Sequence, residues 1–302
     1  MSRVNPDNVR VVLYDISGGK VESLTAKIGW SSLSLEPPAK LKIGEKEVKK
    51  LMKLSVKLRL GSVLDFPHYI FAFEGVSRAF THQLVRHRVA AYVQQSLRRV
   101  KVNPELDPRD PWFVIPPSLV LEGADVVLRY VESQLVAGRT YLYLLGSGVP
   151  PEDARYALPI GIKTFIACIM NAEELLHVVK VRSCASAQWE IRSAVLALLT
   201  GLNLVYPSIF SYAGPHCVYD GVCRGGGGQR CCSNVKELLG KLRSLAEEWR
   251  GAYEREGRVD LDLTDLLGFR APEDLEEEVG RKLGLRAPLN LSYEVKLSVE
   301  RV

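Results

Sequence analysis

The sequence predicts an α+β protein in which helices pack on a central sheet. Runs rich in β-branched and aromatic residues predict strands at 9–16, 69–73 and 291–299. Long apolar segments with helical periodicity lie between these runs, and the clearest are 119–145, 187–204 and 233–256. Strands that are separated by helices of such length favour a sheet covered by helices.

At 302 residues, with 47% apolar and 25% charged residues, the chain has an ordinary globular composition. That length allows one large domain, or one domain with an extension. The character of the sequence changes where a loop rich in Gly and Cys begins. We therefore expect a main domain at 1–212 and an extension of loop, helix and strand at 213–302.

The net charge of +5 fits a protein that handles phosphorylated ligands, although nucleic acid fits equally well. The first sixteen residues contain no apolar signal region, and no apolar run approaches the roughly 20 residues that cross a membrane. We therefore expect a cytoplasmic protein without a membrane partner.

The elements of the first half follow from local patterns. The strand at 9–16 ends at a Ser-Gly-Gly turn, and residues 45–58 place apolar side chains among lysines with the spacing of an amphipathic helix. The short buried strand at 69–73 leads into a helix that opens at Ser77. Prolines punctuate 107–117, which predicts a loop.

In the second half, a helix at 119–145 is followed by another that starts at Pro151 with acidic residues in its first turn, where the helix dipole favours them. Further segments are predicted to be helical: 164–182, 187–204, the amphipathic 233–256 and the short acidic 272–283. Residues 291–299 alternate apolar and polar side chains, which predicts a half-buried strand.

The most informative stretch, 77–99, concentrates guanidinium groups. Arg78, His82 and Arg86 fall on one helical face at spacings of four, and the triplet Arg86-His87-Arg88 is expected near the C-terminal end of that helix. Packed arginines repel one another unless anions neutralise them. The cluster therefore predicts a negatively charged partner.

Two interpretations of this cluster compete. One is a solvated basic surface or an RNA-binding patch. The other is a phosphate pocket, and the spacer 89–93 favours it, because the sequence VAAYV is too apolar for an exposed basic tail. We therefore expect the arginines to border a packed core.

A second informative block, 164–182, is predicted as one helix. Asn171 and Arg182 then share a helical face about 16 Å apart, at a rise of 1.5 Å per residue. A mononucleotide or a flavin ring fits along such a face. The alternative is a mostly buried helix with a polar residue at each end.

Four motif elements together resemble the signature of the flavin-dependent thymidylate synthases: Gln83, Arg86-His87-Arg88, Ser96 and Arg98. The resemblance runs over roughly residues 8–213 and implies the thymidylate synthase-complementing fold, an α+β architecture. It also implies reductive methylation of dUMP to dTMP. In that reaction methylenetetrahydrofolate supplies the carbon, and FAD reduced by NADPH supplies the hydride. The family binds FAD and dUMP at subunit interfaces, so a homotetramer is implied as well.

The resemblance also carries residue roles. The residues implied to bind dUMP are Gln83, Arg86, Gln94, Ser96, Leu97, Arg98, Arg155 and Arg182. Those implied to bind FAD are Ser62, Arg86, His87, Arg88, Gln94, Asn171 and His177. Arg182 is implied to be catalytic, beside the uracil ring that loses its N3 proton. The chemistry agrees, because arginines suit a phosphate dianion and a fixed cation stabilises developing negative charge.

The chain departs from the family pattern near the expected flavin. Leu60 stands where the family usually has histidine, at the start of the segment 60–65. Glu173 stands where arginine is usual, and a carboxylate near a pyrophosphate is unfavourable unless it is paired or turned away. Ala91 and Arg99 are smaller departures.

These departures keep two alternatives in view. One is a divergent paralogue that binds dUMP but has impaired or altered flavin chemistry. The other is a basic RNA-binding protein. Our main expectation is the enzyme, with no nucleic-acid partner.

Two further features invite chemical interpretations. The sequence around Ser96 shows no general base with a group to orient it. A hydrogen bond from the Ser96 hydroxyl to a phosphate is therefore favoured over a role as nucleophile. Next to His216, four cysteines fall in one loop, Cys217, Cys223, Cys231 and Cys232. Their spacing lacks a Cys-x2-Cys pair at each end, so zinc and one or two disulfides both stay open. We expect a structural loop without an assigned metal.

Overall fold

The computed structural model describes residues 9–18, 20–31, 37–226 and 228–302. Its six-stranded sheet has the order β3-β4-β2-β1-β6-β5. The strands are β1 (Val9–Asp15), β2 (His68–Ser77), β3 (Ala90–Gln94), β4 (Lys163–Asn171), β5 (Arg258–Asp262) and β6 (Val295–Arg301). Helices cover this sheet, which confirms the predicted α+β class.

The helices of the first half are α1 (Val21–Ser31), α2 (Glu45–Leu58), α3 (Gly61–Leu64), α4 (Arg78–Leu84), α5 (Pro117–Leu121), α6 (Ala124–Gly146) and α7 (Pro151–Ala154). A 3₁₀ turn follows at Arg155–Ala157. Those of the second half are α8 (Ala172–Arg182), α9 (Trp189–Val205), α10 (Pro207–Phe210), α11 (His216–Tyr219), α12 (Gly228–Glu256), α13 (Thr264–Leu267) and α14 (Glu273–Lys282). In this described part of the chain, no helix is both long and apolar enough to span a membrane.

Strand β1 lies inside the sheet and is paired on both sides. It runs antiparallel to β2, with Val11 opposite Phe73, and parallel to β6, with Val11 opposite Leu297. Strand β6 is more buried than its alternating sequence predicts, since even Ser298 is only 2% exposed. The residues after 212 thus contribute two strands to the same sheet as the residues before it.

Helix α9 packs directly on β1 and β6. Nearly all its residues are buried, because α8 and α12 also pack against it. Gly201 permits the close approach, since a Cβ there would lie 3.2–3.4 Å from side-chain atoms of Leu297, Val299 and Leu13. This helix forms the centre of the main core.

A second apolar cluster lies around α6 and α14. Trp112 and Phe113 pack edge to face with ring centroids 5.0 Å apart, and Val127, Val131 and Val279 complete the cluster. The loop between β3 and α5 crosses this cluster, and Leu97 packs on it.

The prediction of one helix at 164–182 was wrong for its first half. Residues Lys163–Asn171 form strand β4, and the helix α8 begins only at Ala172. Phe165, Ala167 and Ile169 make the less buried face of this strand apolar as well, and a continuous apolar run does not distinguish a strand from a buried helix. Asn171 caps the N-terminus of α8 and Arg182 ends it, so they still lie one helix length apart.

The helix of the arginine stretch is shorter than predicted. Helix α4 ends at Leu84, so Arg86 does not continue the face of Arg78 and His82. The spacer forms the edge strand β3, and Val89 and Val93 are 60% and 71% exposed. The arginines therefore border an exposed sheet edge as well as the core.

Candidate functional site

A buried carboxylate fixes the start of α4. The backbone nitrogen and the hydroxyl of Ser77 donate to the two carboxylate oxygens of Glu190, at 2.7 and 2.6 Å. The same hydroxyl accepts from the backbone nitrogen of Phe80 and so caps the helix. Burial raises the pKa of Glu190, which is 1% exposed. This contact anchors the arginine stretch to α9.

His87 lies buried in the turn between α4 and β3. Its backbone oxygen accepts a hydrogen bond from the hydroxyl of Tyr92, and that hydroxyl also donates to the backbone oxygen of Leu84. Tyr92 therefore ties the turn to the strand that follows. Arg86 and Arg88, on either side of His87, point outward and are exposed.

The ring of His87 meets two charged side chains from α8. Its Nε2 is 3.0 Å from Nε of Arg182, and its Nδ1 is 3.5 Å from Oε1 of Glu174. Burial, with smaller effects from Arg182 and His177, lowers the pKa of His87 to about 4. The ring is therefore neutral near neutral pH, and its Nε2 accepts the hydrogen bond from Arg182.

Arg182 is held at the end of α8 by this bond and by a second one, from its guanidinium to the backbone oxygen of Gln83 at 3.2 Å. Partial burial and the nearby charge of Arg86 lower the pKa of Arg182. Two like charges in a half-buried position favour the binding of an anion. We call Gln83, Arg86, His87, Glu174, His177 and Arg182 the histidine–arginine cluster.

Another set of predicted FAD residues meets at the start of α8. The side-chain amide of Asn171 donates to Oδ1 of Asp65 at 2.9 Å, and its oxygen accepts from the backbone nitrogen of Glu174. Asp65 follows α3, which carries the exposed Ser62. The structure thus brings the segment 60–65 next to Asn171, as the predicted roles require.

The two departures from the family pattern lie at this end of α8. Leu60 is half-buried at the start of α3. Glu173 lies near Tyr219: burial is the main cause of the raised pKa of that phenol, the charge of Glu173 adds to it, and the charge of Arg59 opposes it. The charge at position 173 therefore acts on the face of α8 that α11 covers, where Lys180 lies 4.7 Å from the ring centre of Tyr219.

A second group of predicted dUMP residues lies beyond the other end of β3. Arg98 donates two bonds to Oε2 of Glu152 at 3.1 and 2.9 Å, and Nε of Arg155 donates to the backbone oxygen of Glu152. Ser96 is exposed nearby. We call Arg78, Ser96, Arg98 and Arg155 the arginine group.

Arg78 belongs to the arginine group by its electrostatics. Burial and the charge of Arg155 lower its pKa, and its Nε is buried without a hydrogen-bond partner. Its Nη2 donates to the backbone oxygen of Gln95. An unpartnered donor beside a second cation favours an anionic ligand at this place.

The histidine–arginine cluster and the arginine group lie at opposite ends of β3. The five residues of this strand extend about 17 Å at the usual rise of a strand. Gln94 lies between them, where its amide donates to the hydroxyl of Thr81 at 2.8 Å. His177 is exposed on α8, and its ring centre is 5.7 Å from that of His87.

Three residues that the structure places in this region were not in the predicted set. Glu174 faces His87, Glu190 anchors Ser77, and Arg78 adjoins Arg155. The first two act across chain separations that no local pattern reveals. Arg78 carried a signal, because it lies within the arginine stretch itself.

The cysteines of the loop lie together, against α8. Cys217, Cys223, Cys231 and Cys232 line one pocket with Cys184, which follows Arg182 by two residues. Asp220 of this loop forms an ion pair with Arg59 and a hydrogen bond with Nδ1 of His216. The loop is therefore packed against the same helix that carries Arg182.

The chain is similar to one known protein family over most of its length. A family model described as thymidylate synthase complementing protein matches residues 15–208, which include both the histidine–arginine cluster and the arginine group. The chain belongs to this family. The resemblance drawn from the motifs is thereby confirmed.

Relatives in this family are similar over most of their length. The flavin-dependent thymidylate synthase of Sulfolobus acidocaldarius is 36% identical over 212 residues, which are 70% of this chain and 78% of the relative. That of Geobacter sulfurreducens is 36% identical over 225 residues, or 74% of this chain and 93% of the relative.

A solved structure shares the fold. The UMP/dUMP methylase PolB from Streptomyces cacaoi, bound with 5-Br dUMP, matches with a TM-score of 0.59 at 20% identity. The match covers 68% of this chain and 94% of that chain. At this identity the likeness concerns the architecture alone.

Proposed function

We propose that the protein is a flavin-dependent thymidylate synthase, which methylates dUMP reductively to dTMP. The observation that carries the proposal is the neutral His87 that holds Arg182, within a family whose similar members bear that name. We propose methylenetetrahydrofolate as the carbon donor and NADPH as the reductant of the flavin.

The donor set fits FAD. Arg86 and Arg88 are exposed on either side of His87, His177 is exposed midway along α8, and Asn171 lies buried at the start of that helix. Cationic and amide groups in this region suit the phosphates and the ring edge of a dinucleotide. When bound, reduced FAD supplies the hydride for the methylation.

Arg182 is the group that we assign to the uracil ring. His87 and the backbone of Gln83 hold its guanidinium in place. The group therefore needs little reorganisation to stabilise the negative charge that develops on the ring. The neutral state of His87 matters here, because an imidazolium could not accept this bond. Ser96, Arg98 and Arg155 are the donors that we assign to the phosphate of dUMP.

The separation along β3 has a consequence for assembly. The length of β3 holds the backbone of Ser96 and Arg98 about 17 Å from the turn that carries Arg86 and His87 in the same copy. We therefore propose that the site joins the arginine group of one copy to the histidine–arginine cluster of another. A homotetramer that works in the cytoplasm, without nucleic acid or membrane, is our proposal.

The test is the release of tritium from dUMP labelled at position 5, in the presence of FAD, NADPH and methylenetetrahydrofolate. Release that depends on all three supports the proposal. A visible flavin spectrum after purification or after addition of FAD supports the cofactor independently. Absence of release from a folded protein that still binds dUMP overturns it.

A divergent paralogue is the second candidate, and Glu173 is the observation that favours it. Such a protein binds dUMP but shows neither the flavin spectrum nor tritium release. If Glu173 is the cause, Glu173→Arg restores flavin binding. Tritium release equal to that of an ordinary family member excludes this candidate.

A further inference from the structure

Five of the six cysteines converge on one pocket behind the histidine–arginine cluster. The turn after α8 supplies Cys184, α11 supplies Cys217, and the loop after α11 supplies Cys223. The start of α12 supplies Cys231 and Cys232. The sixth, Cys168, lies in β4 within the main core. We call the five cysteines together with His216 the thiol pocket.

Three of these thiols interact directly. Cys232 lies within hydrogen-bonding reach of the thiols of Cys217 and Cys223. The contact with Cys217 is the largest of the effects that raise the pKa of Cys232 to about 12. The volume of the pocket, about 20 Å³, holds about one water-sized atom and excludes an organic ligand.

The loop closes tightly over Cys184 because position 225 is glycine. A Cβ there would lie 2.7 Å from Sγ of Cys184 and 2.7 Å from Oγ of Ser186. Any side chain at Gly225 would therefore displace the thiol.

His216 adds a nitrogen to the lining of the pocket. Its Nδ1 lies 2.6 Å from Oδ2 of Asp220, and this bond is the main cause of the lowered pKa of Asp220. A carboxylate behind Nδ1 fixes the tautomer that leaves a lone pair on Nε2. Histidines that bind metals are usually oriented in this way.

We propose that the thiol pocket binds one divalent metal ion of the borderline-soft class that includes Zn²⁺. Cys217, Cys223 and Cys232 supply three thiolates, and Cys184, Cys231 or His216 supplies the fourth ligand. Four-coordinate shells of sulfur and nitrogen are typical of structural zinc.

Binding of the metal has to bring its ligands into position, because they are not yet arranged around one point. Among the residues that the structure describes, no three His, Cys, Asp or Glu side chains already form a metal-binding group. Binding therefore requires the thiols to lose protons and turn inward, and uptake of the ion releases protons to solvent.

The role of the ion is to hold the loop against α8. Asp220 ties the loop to Arg59 at the end of α2, and Cys184 lies two residues beyond Arg182. A metal that joins Cys184 or its neighbours to α12 restrains the end of α8. Its removal loosens the segment that carries Arg182.

The test begins with metal analysis of the full chain purified under reducing conditions. The protein is then stripped with a chelator and titrated with Co²⁺, because cobalt thiolate sites absorb in the near ultraviolet and tetrahedral sites absorb strongly in the visible. We expect one Co²⁺ per chain, displaced by one Zn²⁺, with proton release. Cys217→Ser and Cys232→Ser lose this absorption, and Cys168→Ala, outside the pocket, keeps it.

The titration of the wild-type chain decides the matter even if a serine variant fails to fold. Absence of cobalt–thiolate absorption, with six reactive thiols after denaturation, overturns the proposal. Fewer than six thiols that return only after a reductant is added reveal disulfides, and this result overturns it as well.

Discussion

The Nε atom of Arg182 donates a hydrogen bond to Nε2 of His87 at 3.0 Å. Because that nitrogen accepts, His87 carries its proton on Nδ1, which faces Oε1 of Glu174 at 3.5 Å. The carboxylate thus selects the tautomer, and the tautomer orients the guanidinium. Glu174 is a positioning residue for Arg182.

Glu174→Gln keeps the shape of this side chain and removes its charge. We expect kcat/KM for dUMP methylation to fall about tenfold, since weakening one charge-assisted contact costs about 1.5 kcal/mol. The ¹⁵N shifts of the His87 ring report the tautomer and should change. Glu173→Gln is the matched control on the same helix, and it should leave those shifts unchanged. Equal shifts in both variants contradict the assignment.

The lowered pKa of His87 predicts a loss of stability in acid. The folded value is about 4 and the unfolded value is near 6.5, so the unfolded chain binds the proton first as the pH falls. We expect the free energy of unfolding to drop by about 2 kcal/mol between pH 7.5 and 5 from this group alone. Chemical denaturation at both pH values measures it, and His87→Gln should lose this part of the pH dependence.

We expect the contact between Ser77 and Glu190 to stabilise the fold strongly, although 113 residues separate the two along the chain. Glu190→Ala leaves two buried donors without an acceptor, and we expect a loss of about 3 kcal/mol. Glu248→Ala, exposed on α12, should cost less than about 0.5 kcal/mol. In the double variant with Ser77→Ala, the combined loss should be smaller than the sum of the two single losses, because both substitutions remove the bond between the Ser77 hydroxyl and Glu190. Additive losses contradict the anchor.

Two helical glycines offer a matched pair. Gly201→Ala pushes a methyl group to within 3.2 Å of Leu297, and we expect a net loss of about 1–3 kcal/mol from overpacking. Gly240→Ala, exposed on α12 with open space around it, should gain about 0.5–1 kcal/mol of helix propensity. Thermal unfolding of both variants checks the close approach of α9 to the sheet. A stabilised Gly201→Ala variant excludes it.

The proposed site between copies predicts complementation. Arg98→Ala and Arg182→Ala should each be inactive, since each removes one half of every site. After subunit exchange, a mixture of the two should recover about a quarter of the wild-type activity, because random pairing joins two intact halves that often. Mixtures that stay inactive, although mass spectrometry shows mixed oligomers, place both halves in one copy.

Local patterns were sufficient for some of the fold. The helix at 45–58 was predicted with the bounds that it has, because its apolar positions repeat with helical period among lysines. The strand β4 was missed because apolar residues occupy both of its faces, which removes the apolar–polar alternation that identifies a strand. The short β5 was also missed, since Arg258–Asp262 mixes charged and apolar side chains within five residues.

The site was predictable only where chemistry is concentrated in the sequence. The arginines and His87 were found from their density and spacing. Glu174 and Glu190 were not, because the first acts from another element and the second is 113 residues from its partner Ser77. The turn that places Arg86 outside α4 was missed because a helical face was extended past the residue where the backbone leaves it.

The pairing of β1 with β6 also bears on how the chain is made. Arg10 and Ser298 touch across these strands although 288 residues separate them. During synthesis on the ribosome, one edge of β1 stays unpaired until nearly all the described chain, including β6, has emerged. Throughout synthesis the nascent chain therefore carries an open, apolar strand edge of the kind that invites aggregation, which makes it a natural client for chaperones.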